Sequence, residues 1–433
     1  MSAIKLAIAW PARMKSTGRA LRYRNFRLFF GGQLLAYTGM WIHQIALSWL
    51  VYRLTGSAFL LGLTGLASQI AILFFAPFGG IWADRFNRRR LLLVAQSIAL
   101  ILALSLAYLV SSGLAVVWHV LTIALLLGLV EALEKPVRHS FFVDLVERQD
   151  LANAIALNSF VFNAGRFLGP LLAGILLSAF GEVVCFLVTG LGCAAAMAAL
   201  IEIRVPPRES THHGSGLLPK LREGASYAMG FPPARTLLAL VAAMSFTTTP
   251  YTVLMPIFAA EGFGGGAVTL GYLMGAAGAG ALVAAVYLAS RRSVHELAEL
   301  SAFTAAIAGV SLMLFSYSTT LWFSLMLMAL TGFGVMATAA SCNTILQTIV
   351  PDDKRGRIVS FYLMAYLGVA PIGNLIAGML AKQIGASHTL FIGGALCTAA
   401  AIVFCFKLSL MRNELRAMLM ELGLIEPSRP TLK

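Results

Sequence analysis

Glu131 and Glu134 stand three residues apart in an apolar stretch, a spacing that puts both carboxyls on one face of a helix. Burial away from water makes a carboxyl hold its proton more tightly, so such a pair suits proton uptake and release. Glu134 has a second expectation, because Arg138 follows four residues later and a plain interfacial ion pair would account for it. Arg166 lies about 15 residues into another apolar run, about 22 Å from its start at ~1.5 Å per residue. An arginine near the bilayer centre costs about 2.5–3.5 kcal/mol on insertion scales. Two expectations follow: a cavity charge that holds an anionic group or answers coupling protons, or a structural cation satisfied by polar neighbours. His43 and Gln44 fall at a similar depth in the first run and are its expected partners. The same arithmetic puts Arg166 about 14 Å deeper than Glu131, so no direct pair between them is expected. No second ligand stands at metal spacing from His43, and neither metal nor cofactor is expected.

These groups need a lipid-embedded scaffold. Of 433 residues, 59% are hydrophobic and 12% charged, against about 25% charged in soluble domains. A spanning helix needs about 20 apolar residues. Apolar runs predict twelve spans, at 26–52, 59–82, 90–111, 115–136, 151–178, 183–203, 236–259, 266–290, 296–317, 320–346, 357–383 and 388–410. Lysine and arginine concentrate between spans two and three, four and five, six and seven, after eight and before eleven, while the opposite loops hold Arg53 and Lys382. The positive-inside rule then places both termini in the cytoplasm. The net charge of +14 faces anionic headgroups, and its scatter over short loops argues against nucleic acid. The expected organisation is a cytoplasmic segment 1–25, a six-helix bundle 26–203, a polar linker 204–235, a second bundle 236–410 and a tail 411–433. Within the linker, 217–229 is expected as an amphipathic surface helix. The basic leader lacks a cleavage pattern and reads as cytoplasmic. Five cysteines in or beside apolar stretches show neither metal nor disulfide spacing.

A shift of 204 residues superimposes two stretches without a gap: Gly128 falls on Gly332, Val146 on Val350, and Gly169–Gly174 on Gly373–Gly378. Spans four and five therefore repeat as ten and eleven, a direct duplication of the kind that builds many transporters.

Between spans two and three stands Gly80-Ile81-Trp82-Ala83-Asp84-Arg85-Phe86-Asn87-Arg88-Arg89. It resembles the loop signature of the major facilitator superfamily, Gly-x-x-x-Asp-Arg-x-Gly-Arg-Arg, with Asn87 in place of a glycine; asparagine tolerates a left-handed turn. The resemblance implies that Gly80, Asp84, Arg85, Arg88 and Arg89 form a conformational latch. Gly165, Gly169, Pro170 and Gly174 in span five are similar to the signature of that family's antiporters, departing only at Ala173. Small residues permit close helix approach, and the proline bends the helix. From Arg24-Asn25-Phe26-Arg27 through Asn153–Ser159 the chain resembles the branch that holds enterobactin-type siderophore exporters and macrolide-type drug efflux proteins.

The resemblance implies an all-α membrane protein with the major facilitator fold, two six-helix bundles, in which spans one, four, seven and ten line the path. Gln33, Tyr37, His43, Gln44, Asn343 and Gln347 are then lining candidates. The expected function is a secondary active transporter of the inner membrane, a proton-coupled antiporter exporting a small amphipathic molecule (siderophore or drug) by alternating access. Its partners are that small molecule, protons and membrane lipids. No phosphate-binding glycine loop followed by lysine and serine or threonine occurs in the sequence, so ATP is not the expected energy source. The alternatives are a lipid or lysolipid flippase, an importer on the same fold, or a membrane sensor that transports nothing; no enzyme motif is present.

Overall fold

The computed structural model describes residues 18–204, 230–291 and 296–421, with the side chains of 76–81, 83–85, 352–353, 355, 357 and 409–421 outside that description. The proposed helix at 217–229 and most of the leader and tail lie outside the described residues. Within them, every regular element is helical.

Among the described residues, eleven helices are long and apolar enough to cross a bilayer. One of them, Leu151–Glu202, runs 52 residues, about 78 Å at ~1.5 Å per residue, far beyond the ~30 Å hydrocarbon core. It bends back at Gly181 (φ 78°, ψ −176°), a conformation essentially confined to glycine. Spans five and six are thus two arms of one bent rod, and the described residues hold twelve spans. Span one is Arg24–Thr55, span two Ala58–Arg85, span three Arg88–Ser111 and span four Val117–Leu145. Span seven is Pro232–Thr248 continued by Tyr251–Ile257 and a π turn, Phe258–Gly262. Spans eight to ten are Ala267–Ser290, Leu297–Phe315 and Leu321–Ile349. Span eleven is Asp352–Leu363, a π turn at Met364–Gly368 and Ala370–Ile384; span twelve begins the helix Ala386–Glu421.

Span four corrects the expectation. Its helix continues through Pro136 to Leu145, nine residues past the expected end. Glu131 therefore lies 14 residues from that end, about 21 Å, and not the five residues that the expected end at 136 leaves. The expected offset of Arg166 from Glu131 disappears by this measure.

The chain divides into two compact units, Met1–Leu50 with Ile70–His213, and Val51–Gln69 with Gly214–Lys433. In the first, Phe26, Phe29, Leu92, Phe141, Phe142 and Leu200 form a buried cluster, with Phe29 edge-on to both Phe141 and Phe142. In the second, a cluster about Leu237, Val241, Ile345, Leu346 and Phe404 forms the corresponding core.

The duplication holds in the packing inside each unit. Gly169 lies against Trp41 of span one, and its counterpart Gly373 lies against Phe246 of span seven. Phe162 packs on Trp41 of span one at 5.6 Å; its counterpart Tyr366 meets span seven, where the Ser245 hydroxyl donates to the Tyr366 carbonyl at 2.5 Å. Gly385, the counterpart of Gly181, turns span eleven into span twelve with φ 87° and ψ 157°.

Candidate functional site

The site lies in the first unit, among spans one, three, four and five. Glu134 is buried, with 6% of its side chain exposed, and pairs with Arg138 one turn along the same helix. A helix carries an i, i+4 acid–base pair of this order well, which is how span four tolerates charge. Gln96 of span three donates its Nε2 to the same Glu134 Oε1 at 2.8 Å. Arg138 also donates to the Tyr37 hydroxyl at 2.7 Å and lies over its ring, 4.9 Å from the centroid. The Tyr37 hydroxyl in turn points to Asn158 Oδ1 at 3.5 Å. The expected Glu134–Arg138 pair is therefore present, but it is the buried centre of a four-helix network and not an interfacial contact.

Glu131, one turn earlier, has a different setting. It pairs with Lys135 at 2.7 Å, and the two side chains are 35% and 36% exposed. Span four thus presents one carboxylate buried in the helix bundle and one about a third exposed.

Arg166 lies over the Trp41 ring, 5.8 Å from its centroid. Phe162 wedges between the aromatic groups of span one, edge-on to Tyr37 at 5.3 Å and to Trp41 at 5.6 Å. Tyr37 and Trp41 are one turn apart, so a single face of span one carries both rings against which the arginines stack. The antiporter-like glycines make this approach possible. A β-carbon on Gly165 would stand 3.2 Å from Trp41 Cδ1, and one on Gly169 only 2.4 Å from Trp41 Cβ. Pro170 and Gly174 are buried in the same helix.

His43, two residues beyond Trp41, is buried and packs edge-on against Phe186 at 5.2 Å. Among the described residues neither of its ring nitrogens has a hydrogen-bond partner. Gln33 is buried with its Oε1 likewise unpartnered among the described residues, as is the Trp41 indole nitrogen. Gln44 is exposed and falls outside this cluster. Asn343 and Gln347 belong to the second unit, where Gln347 Nε2 donates to Asn343 Oδ1 at 3.0 Å on span ten.

Of the loop motif, Gly80, Asp84 and Arg85 have side chains outside the described residues. Arg88 pairs with Asp144 at 3.0 Å and donates to the Ser140 carbonyl. Arg89 donates to the carbonyls of Leu200 and Ile201 at 2.5 and 2.6 Å, satisfying open acceptors at a helix C-terminus. Asn87 corrects the expectation of a left-handed turn: its φ is −64°, and its side chain caps span three by accepting from the Arg90 amide. Among the described residues no group of histidine, cysteine, aspartate or glutamate could hold a metal. Gln96, Trp41 and Asp144 are additions to the sequence reading; only Gln96 carried a signal, a lone amide in an apolar span.

Twelve apolar helices among the described residues and a direct internal repeat define a polytopic helical membrane protein, and its relatives and fold are those of major facilitator transporters and not of enzymes. The profile of a family described as transmembrane secretion effector matches residues 15–424, and the chain belongs to that family. It is similar to the Staphyloferrin A transporter of Staphylococcus aureus, with 25% identity over 394 residues covering 90% of this chain and 98% of that one. It is likewise similar to the multidrug efflux pump Tap of Mycolicibacterium fortuitum, 26% identical over 372 residues, 82% of this chain and 89% of that one. Among solved structures, a bacterial homolog of the human lysosomal transporter Spinster matches with a TM-score of 0.69 over 88% of this chain and 96% of that one; at 16% identity the likeness is one of fold.

Proposed function

We propose that the protein is a proton-coupled antiporter of the inner membrane, with both termini cytoplasmic, that exports a small amphipathic molecule of the siderophore or drug kind by alternating access. The relatives' names support the substrate range. The observation that carries the coupling is the contrast between the two acids of span four. A proton on Glu134 would strand Arg138, whose own charge cannot be given up, so that pair acts as a fixed frame. Among the described residues the ion pair of Glu131 is with Lys135, about a third exposed, and a proton or a substrate donor can replace Lys135 there. Mutual exclusion at one carboxylate is what antiport requires: the cargo leaves the site when the proton arrives, and the reverse. His43 and Arg166 set the charge around that exchange, and Tyr37, Gln33, Gln44, Asn343 and Gln347 offer hydrogen bonds to the cargo. The glycines of span five are the bearing against which span one moves, and the loop residues Asp84, Arg85, Arg88 and Arg89 the latch.

The test is flux in proteoliposomes under an imposed pH gradient, with ethidium and staphyloferrin A as probes. Protons moving down their gradient should drive the probe the opposite way, and a protonophore should abolish the accumulation. Flux along the proton gradient would make the protein an importer. Flux indifferent to the gradient would remove the coupling, and binding without flux would favour a sensor.

A further inference from the structure

Span two meets span eleven inside the second unit along a line of glycines. A β-carbon on Gly62 would stand 2.5 Å from the Asn374 carbonyl oxygen and 2.9 Å from the Gly378 α-carbon. One on Gly65 would stand 2.6 Å from Val253 Cγ1 and 2.9 Å from Asn374 Nδ2. The two backbones touch, and Asn374 is pressed into the contact with 0% of its surface exposed. Among the described residues neither Nδ2 nor Oδ1 of its amide has a hydrogen-bond partner. That amide offers two donors and an acceptor with two lone pairs, and leaving them dry penalises the state that buries them. The duplication does not call for an amide here, since the counterpart position is Pro170. A hydrocarbon side chain of the same size would close the contact without that penalty.

We propose that Asn374 is a release element: the seam of Gly62, Gly65 and Gly378 is closed in this structure and parts during the working cycle, and the dry amide keeps the closed state from becoming a trap. Close glycine packing gives dense van der Waals contact, which alone would favour permanent closure. An amide that regains partners on parting offsets that attraction. The two opposing contributions leave the seam poised, which a moving contact needs. This inference goes beyond the proton-coupling reading and does not depend on it.

Hydrogen–deuterium exchange on the full-length protein in detergent, without substrate, tests it. N374L and N374A both remove the amide, one conserving volume and the other reducing it. Each should slow exchange across Ala58–Gln69, on the order of tenfold for the loss of one buried unsatisfied amide, while thermal melting confirms that both variants are folded. Exchange that is unchanged or faster in either variant would overturn the proposal, since a residue that merely fills space would loosen the seam when truncated. The readout requires neither flux nor a pH gradient, so the release role stands or falls independently of the coupling experiment.

Discussion

Trp41 Cβ stands 2.4 Å from where a β-carbon on Gly169 would lie, so spans one and five meet at a separation that only glycine permits. G169A must push the helices apart, at about 1–3 kcal/mol for an overpacked contact. The variant should melt several degrees below the wild type in detergent and lose most flux. G31A, on the same span one at a site with no described atom within 4 Å, is the control and should behave as the wild type.

Breaking the Glu134–Arg138 pair from one side leaves a charge buried and unmatched. E134Q should cost about 3–5 kcal/mol, read as a large fall in melting temperature. The pair replaced together, Glu134→Leu with Arg138→Met, should recover most of that loss, because apolar residues of similar volume often serve as well as a buried ion pair. A double variant as unstable as the single one would contradict the fixed-frame role.

At Glu131 the expected effect concerns coupling and leaves stability nearly unchanged, because a partly exposed ion pair contributes about 0–1 kcal/mol. Where proton and cargo compete for this carboxylate, lowering the pH on one side weakens cargo binding on that side. In E131Q the apparent affinity for ethidium should be flat across pH. A pH profile matching the wild type would move the exchange elsewhere.

For Arg166, R166A should reach the membrane in normal amount and transport poorly. R166K keeps the charge but lacks the planar guanidinium that lies over Trp41, and lysine and arginine are not interchangeable at a stacked site. Flux of R166K between the other two would divide the role between charge and stacking; normal flux in R166A would assign the arginine to structure alone.

The span pattern and the duplication were legible because bilayer thickness and charge placement act on sequence directly. The end of span four was not. Lys135, Pro136 and Arg138 look like loop punctuation, yet Glu131 and Glu134 neutralise the two cations one turn back along the helix, and the helix absorbs the proline. Charge marks a boundary only when nothing at i−4 answers it. Cross-helix partners were equally hidden: nothing in the order of residues says that Gln96 turns toward Glu134 or that Trp41 lies beneath Arg166. Those pairings depend on helix rotation, which packing sets. The role of Asn87 was misjudged for a related reason, since an asparagine before a helix serves as a cap as readily as it serves a left-handed turn.

The corners at Gly181 and Gly385 leave no slack between the helices they join. With no loop at Gly181 or Gly385 to separate them, spans five and six, and again eleven and twelve, are expected to insert as pairs. An epitope tag or reporter fused at either corner would have no loop to occupy and would block biogenesis.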